Sequence, residues 1–206
     1  MKKVLLFALA LVLFPALTSA QSLEKRQLAK INAKQALKFP QDCNIEDSVI
    51  AAAKKVYEKN PKDFAAVYNY AVTLSAGECD DAEAYISSAQ VKLAKRLFKE
   101  ALTLKPTSPS CYAGLGYLTM YESGLSGAIF FGDNAMDDKL FPHTVKANQA
   151  AAKQALEYYK KAMQYKYDGA FLPAMKDEMQ RLEKELNKLK TNSAKTAVRK
   201  GLSKKK

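Results

Sequence analysis

Residues 94–106 read Ala-Lys-Arg-Leu-Phe-Lys-Glu-Ala-Leu-Thr-Leu-Lys-Pro. Ala94, Phe98, Ala101 and Pro106 are spaced four, three and five apart, and Ala155, Tyr159, Ala162 and Tyr167 repeat those spacings. Steps of three and four put these side chains on one helix face. The alanines let a second helix approach closely, the ring fills the groove beside them, and the proline ends the helix. A second pattern follows the prolines. Val67, Tyr70, Ala71 and Leu74 lie six, nine, ten and thirteen residues after Pro61, and Tyr112, Leu115, Gly116 and Thr119 lie at the same offsets after Pro106. Internal self-similarity of this kind predicts stacked helix pairs.

These residues resemble the tetratricopeptide repeat family. Ala94-x3-Phe98-x2-Ala101-x4-Pro106 matches the second half of its motif, and Tyr112-x2-Leu115-Gly116 matches the first half. The resemblance implies an all-α fold, an α-solenoid of about two to three helical-hairpin repeats with a C-terminal capping helix. Pro61, Tyr70, Ala71, Ala94, Phe98, Ala101, Pro106, Tyr112, Gly116, Ala155, Tyr159 and Ala162 are its structural positions. Two departures stand out. Pro61 to Pro106 spans 45 residues and Pro106 to Tyr167 spans 61, against a repeat of about 34. The excess is expected between the two helices of each pair. Tyr167 stands where the pattern has its closing proline. Residues 22–59 are expected to form at most a degenerate earlier pair, with Val49, Ala53 and Val56 in the slots of the motif.

Apolar periodicity predicts seven helices. The first carries Leu23, Leu28, Ile31, Ala33 and Leu37 and stops before Pro40, because proline disfavours helix in the residue ahead of it. The second covers 45–59 with Asn44 as cap. The third covers 63–75 and is stopped by Gly77. The fourth is capped by Asp80-Asp81 and ends near Leu104. The fifth is capped by Ser108 or Ser110 and ends near Ser123-Gly124. The sixth covers 144–165. The seventh covers 172–189 and carries Leu172, Met175, Met179, Leu182, Leu186 and Leu189 at alternating steps of three and four, a heptad seam. That seam is expected to cap the last repeat, with homodimerisation through it as the alternative. Strand-like runs are scarce, and eight glycines and seven prolines among 206 residues disfavour turn-rich sandwiches and barrels.

The chain carries 33 Lys+Arg against 21 Asp+Glu, a net charge of +12. The two ends hold most of it. Residues 1–20 join Lys2 and Lys3 to an apolar run from Val4 to Leu17 and to Thr18-Ser19-Ala20, the layout of a secretory signal peptide. The apolar run is shorter than the roughly 20 residues a membrane span needs. The expected address is the periplasm, with secretion as the alternative. The last acid is Glu185, and eight cations from Lys188 to Lys206 follow it without acidic neighbours. Residues 188–206 are expected to be a disordered basic tail, suited to an anionic membrane surface. Nucleic acid is disfavoured as a partner, since no aromatic residue in the tail could stack on bases. Residues 21–187, the expected repeat domain, are nearly neutral.

Three cysteines in an exported chain suggest one pair and one leftover. Cys43 and Cys79 each lie 18 positions from Pro61, the expected turn between the second and third helices. Positions equidistant from the turn of an antiparallel hairpin meet, so Cys43–Cys79 is the predicted disulfide. Cys111 would lie about 20 Å away along the stack, beyond disulfide reach, and is expected to be free and packed between repeats.

Residues that could carry chemistry are few. His143 is the only imidazole, and no catalytic partner stands near it in sequence. Asp133, Asn134, Asp137 and Asp138 lack the alternation and central glycine of a calcium loop. Gly124, Gly127 and Gly132 are not followed by the Lys-Ser/Thr of a phosphate loop. No metal site, catalytic residue or cofactor is predicted. The insertion 122–143 holds Ile129, Phe130 and Phe131, which must be buried in the core or against a ligand. The expected function is a non-enzymatic exported scaffold whose groove binds a peptide or protein. Tyr68, Asn69, Leu115 and Tyr117, on the first helix of each pair, are the candidate groove residues, joined by Phe130 and Phe131. Two alternatives are a small-molecule or lipid-binding component using the insertion, and an enzyme without a recognisable site.

Overall fold

Two turns of the same design divide the chain. In residues 60–63 the Asp63 amide donates to the Asn60 carbonyl at 3.0 Å, and in residues 105–108 the Ser108 amide donates to the Lys105 carbonyl at 3.1 Å. Pro61 and Pro106 hold the second position of these four-residue turns, where their fixed φ is already correct. The computed structural model that shows this describes residues 24–33, 35–39, 45–76, 78–80, 83–125 and 145–203.

Helix α1 covers residues 24–32. Then come α2 (Asp47–Lys59), α3 (Phe64–Leu74), α4 (Ser88–Leu104), α5 (Pro109–Glu122), α6 (Gln149–Gln164) and α7 (Leu172–Ser203). From α2 onward the pairings are those of neighbours in sequence: α2 with α3, α3 with α4, α4 with α5, α5 with α6, and α6 with α7. The described residues are therefore all-α apart from one short hairpin, β1 (Glu78–Asp80) and β2 (Glu83–Tyr85), paired antiparallel with Cys79 opposite Ala84.

Local chemistry sets the helix starts. The Asp63 carboxylate accepts the Ala66 amide at 2.9 Å and caps α3. Pro109 occupies the first turn of α5, where no donor is lost. Helix α4 begins at Ser88, six or seven residues after the start that a cap at Asp80 or Asp81 would give. Residues 78–80 pair with 83–85 instead, and Ser87 forms a reciprocal capping box with Gln90. Helix α2 is preceded by Glu46 rather than capped by Asn44, and α6 starts at Gln149, five residues after 144. The C-terminal helix does not end near Leu189. Lysine, leucine and alanine are good helix formers, no proline interrupts them, and cations suit a helix C-terminus. The tail expected to be disordered thus continues α7 to Ser203.

The repeated residues make the helix contacts. Ala94, Ala101, Ala155 and Ala162 are fully buried. The Phe98 ring lies so close to Gly114 that a Cβ there would stand 2.6 Å from it, and a Cβ on Gly116 would stand 2.3 Å from the Tyr159 ring. Tyr70 and Ala71 are buried, Tyr112 is half-buried, and Pro61 and Pro106 are exposed in their turns. Where the closing proline is missing, a different device ends α6. Lys166 takes a left-handed φ of 62°. Its amide donates to Met163, and the Tyr167 amide donates to Ala162, both at 3.0 Å. This is a Schellman motif, and it delivers Tyr167 into the core. On α7, Met175, Leu182 and Leu186 of the heptad seam are buried within the chain.

Candidate functional site: a helix face that holds residues 35–39

The first helix was expected to carry Leu37 on its apolar face. It ends at residue 32, and residues 35–38 belong to no helix or strand. Leu37 is 4% exposed and Phe39 3%, while Gln35, Ala36 and Lys38 between and beside them face outward. This is the alternation of a strand with one covered face.

Asn69 on α3 holds the backbone of this segment. Its carboxamide oxygen accepts the Leu37 amide at 2.8 Å, and its nitrogen donates to the Gln35 carbonyl at 2.7 Å. A residue in a parallel β-ladder offers its neighbour the same donor and acceptor, spanning the carbonyl before and the amide after one partner residue. One side chain thus substitutes for a strand, and Asn69 is itself 1% exposed. At the far end, the Tyr167 hydroxyl donates to the Phe39 carbonyl at 2.6 Å. Gly169 permits that approach, because a Cβ there would stand 2.8 Å from the Phe39 oxygen.

The Phe39 ring fills an aromatic socket. It meets Phe98 edge-on at 5.9 Å between centroids, Tyr117 at 6.0 Å and Phe171 at 6.2 Å. Those separations lie in the favourable range for edge-to-face rings. The socket walls also touch one another: Tyr68 meets Phe98 at 6.0 Å and Tyr117 meets Phe171 at 5.8 Å.

The socket is electrically neutral. Burial pushes the Tyr117 phenol up to about 12, with Tyr121 adding to the effect. Burial also pushes Tyr167 up to about 12, opposed by a hydrogen bond from the Phe171 backbone. Tyr68 is raised too, by burial. All three phenols are protonated at neutral pH and act as hydrogen-bonding, apolar surfaces.

Of the four groove residues expected from sequence, Asn69 grips the segment and Tyr117 touches Phe39. Tyr68 sits behind Phe98 and Leu115 is wholly buried. All four are covered. Leu37, Phe39, Tyr167, Gly169 and Phe171 were not anticipated as part of this arrangement. The signal for the first two was present in the alternation Leu37-x-Phe39 directly before Pro40. Phe130, Phe131, His143 and the acids from Asp133 to Asp138 lie outside the described residues, as do residues 1–20 and Cys43 of the expected disulfide.

Cys111 is a buried free thiol. Burial pushes its pKa up to about 12, against the opposing influence of the Ser108 hydroxyl and the Lys105 charge. It stays protonated, and a thiol is not a nucleophile in that form. Among the described residues, no three His, Cys, Asp or Glu side chains converge as metal ligands, and no helix is long and apolar enough to cross a membrane. No protein-family model matches the chain, and no curated protein matches it.

Proposed function

We propose that the chain is a non-enzymatic exported scaffold, built of tetratricopeptide-like hairpins, that recognises an extended stretch of a partner protein on the inner face of α3 and α5. The observation that carries this reading is the Asn69 carboxamide, which reads a carbonyl and an amide two residues apart. A contact of this kind requires an extended backbone and tolerates any side chain between, which suits peptide recognition. The solenoid reading is supported by the two proline turns of equal design and by the rings of Phe98 and Tyr159 seated on Gly114 and Gly116. Export rests on the layout of residues 1–20, with the periplasm as the address and the Cys43–Cys79 disulfide as its companion. The basic residues from Lys188 onward would hold the scaffold near an anionic membrane surface.

In-cell lysine crosslinking with mapping of the adducts tests the scaffold. A discrete partner attached at Lys38, Lys62 or Lys105 is expected. Adducts confined to Lys184 and Lys188 on α7, or none at all, would remove the inner face from the function. Repeating the capture without residues 190–206 tests the tail: equal yield of the same partner would exclude it as a recruitment element.

A further inference from the structure

We infer that residues 35–39 are a resident ligand of the inner face, and that the external partner presents the same pattern, an extended aliphatic-x-aromatic segment that displaces them. This rests on the reading of the chain as a peptide-binding scaffold and specifies the ligand.

Four features distinguish this segment from ordinary core. Asn69 and Tyr167 reach its backbone, and Leu37 and Phe39 bury apolar surface. It belongs to no helix or ladder. The socket beneath it has its own internal support, since Phe98 is seated against Gly114, Tyr68 touches Phe98, and Tyr117 touches Phe171 without the help of Phe39. Gly169 leaves room for a backbone to come against the Tyr167 hydroxyl, the usual reason for a glycine where chain meets ligand.

The chemistry of the ligand follows from the contacts. Asn69 selects an extended backbone. The buried Leu37 position takes an aliphatic side chain, and the socket two residues later takes an aromatic ring. The carbonyl of the aromatic residue must be free to accept from Tyr167. A tethered ligand competes at an effective concentration of about millimolar. The apparent affinity for an external peptide therefore falls in proportion to the fraction of molecules whose socket is open.

The test uses a labelled peptide of residues 33–41, Ala-Lys-Gln-Ala-Leu-Lys-Phe-Pro-Gln, titrated by fluorescence anisotropy against the full mature chain and its Phe39→Ala variant. At least tenfold tighter binding to the variant is expected, and loss of that binding when the peptide's own phenylalanine is replaced by alanine. Equal binding to both chains, or no binding to a folded variant, overturns the inference. If Phe39→Ala does not fold, a protease site inserted after Pro40 and cut after folding replaces it. Exchange of the released N-terminal fragment for the peptide then supports the inference, and a fragment that does not exchange overturns it. A crosslinked partner at Lys38, Lys62 or Lys105 with no peptide binding to either chain leaves the scaffold standing and removes the displacement. Peptide binding without any captured partner does the reverse.

Discussion

The Tyr167 hydroxyl donates to the Phe39 carbonyl at 2.6 Å and so joins residues 128 apart in the chain. Tyr167 sits just past the Schellman turn that ends α6, and Phe39 ends the extended segment that Asn69 holds. The bond therefore ties the N-terminal segment to the connection between α6 and α7. Replacing Tyr167 by Phe keeps the ring and leaves the Phe39 carbonyl buried without this partner. A loss of about 1–3 kcal/mol is expected in urea unfolding. Asn69→Ala removes two such bonds at the other end of the segment and should cost at least as much.

Gly116 has the Tyr159 ring where its Cβ would be, at 2.3 Å. An alanine in mid-helix normally gains about 1 kcal/mol over glycine. Here the crowding against a fully buried ring reverses the sign, and Gly116→Ala is expected to destabilise by about 1–3 kcal/mol. Combining it with Tyr159→Leu should recover part of the loss. A double-mutant cycle showing additive effects would exclude this contact as the cause.

Lys166 is the one non-glycine residue with positive φ among the described residues, at 62°. Its exposed side chain gains nothing visible from that backbone, which disfavours a Cβ. Lys166→Gly is expected to stabilise the chain by about 0.5–1 kcal/mol, read as a higher urea midpoint at unchanged slope. A proline at the same position cannot adopt this φ and should unfold the end of α6.

Glu178 on α7 is 3% exposed. Burial raises its pKa above 4.5, while the hydrogen bond and charge of Arg181 at 2.6 Å oppose that rise. An acid with a raised folded-state pKa binds more protons folded than unfolded. Its contribution is present below the ordinary carboxylate value and is lost as pH rises through the raised one. Thermal scans should show the wild type losing stability relative to Glu178→Gln as pH climbs from about 4.5 toward neutrality. A wild type that gains over that interval would mean that Arg181 outweighs burial.

Cys111 is held protonated by burial, at about 12. Iodoacetamide at pH about 8 should leave it unmodified in the folded chain and alkylate it once urea unfolds the protein, by intact-mass measurement. Rapid labelling of the native state would show that the site opens.

The sequence by itself determined the helices and their punctuation. Ala94, Phe98, Ala101 and Pro106, and their repeats sixty-one residues on, report side-chain periodicity, proline chemistry and glycine size, which act over a few neighbours. Asp63, where the third helix was expected to begin, caps α3, and Ser108, one of two serines expected to cap the fifth helix, directly precedes α5. Only the tertiary structure decided where those local preferences lose. Leu37 fits a helical face and a strand alternation equally well, and Asn69, 32 residues away, settles the choice by offering a strand's hydrogen bonds. Asp80-Asp81 cap as well as Ser87 does, and pairing of residues 78–80 with 83–85 decides between them. Tyr68, Asn69, Leu115 and Tyr117 lie on α3 and α5, but what covers them was hidden, because burial depends on contacts between residues far apart in the chain.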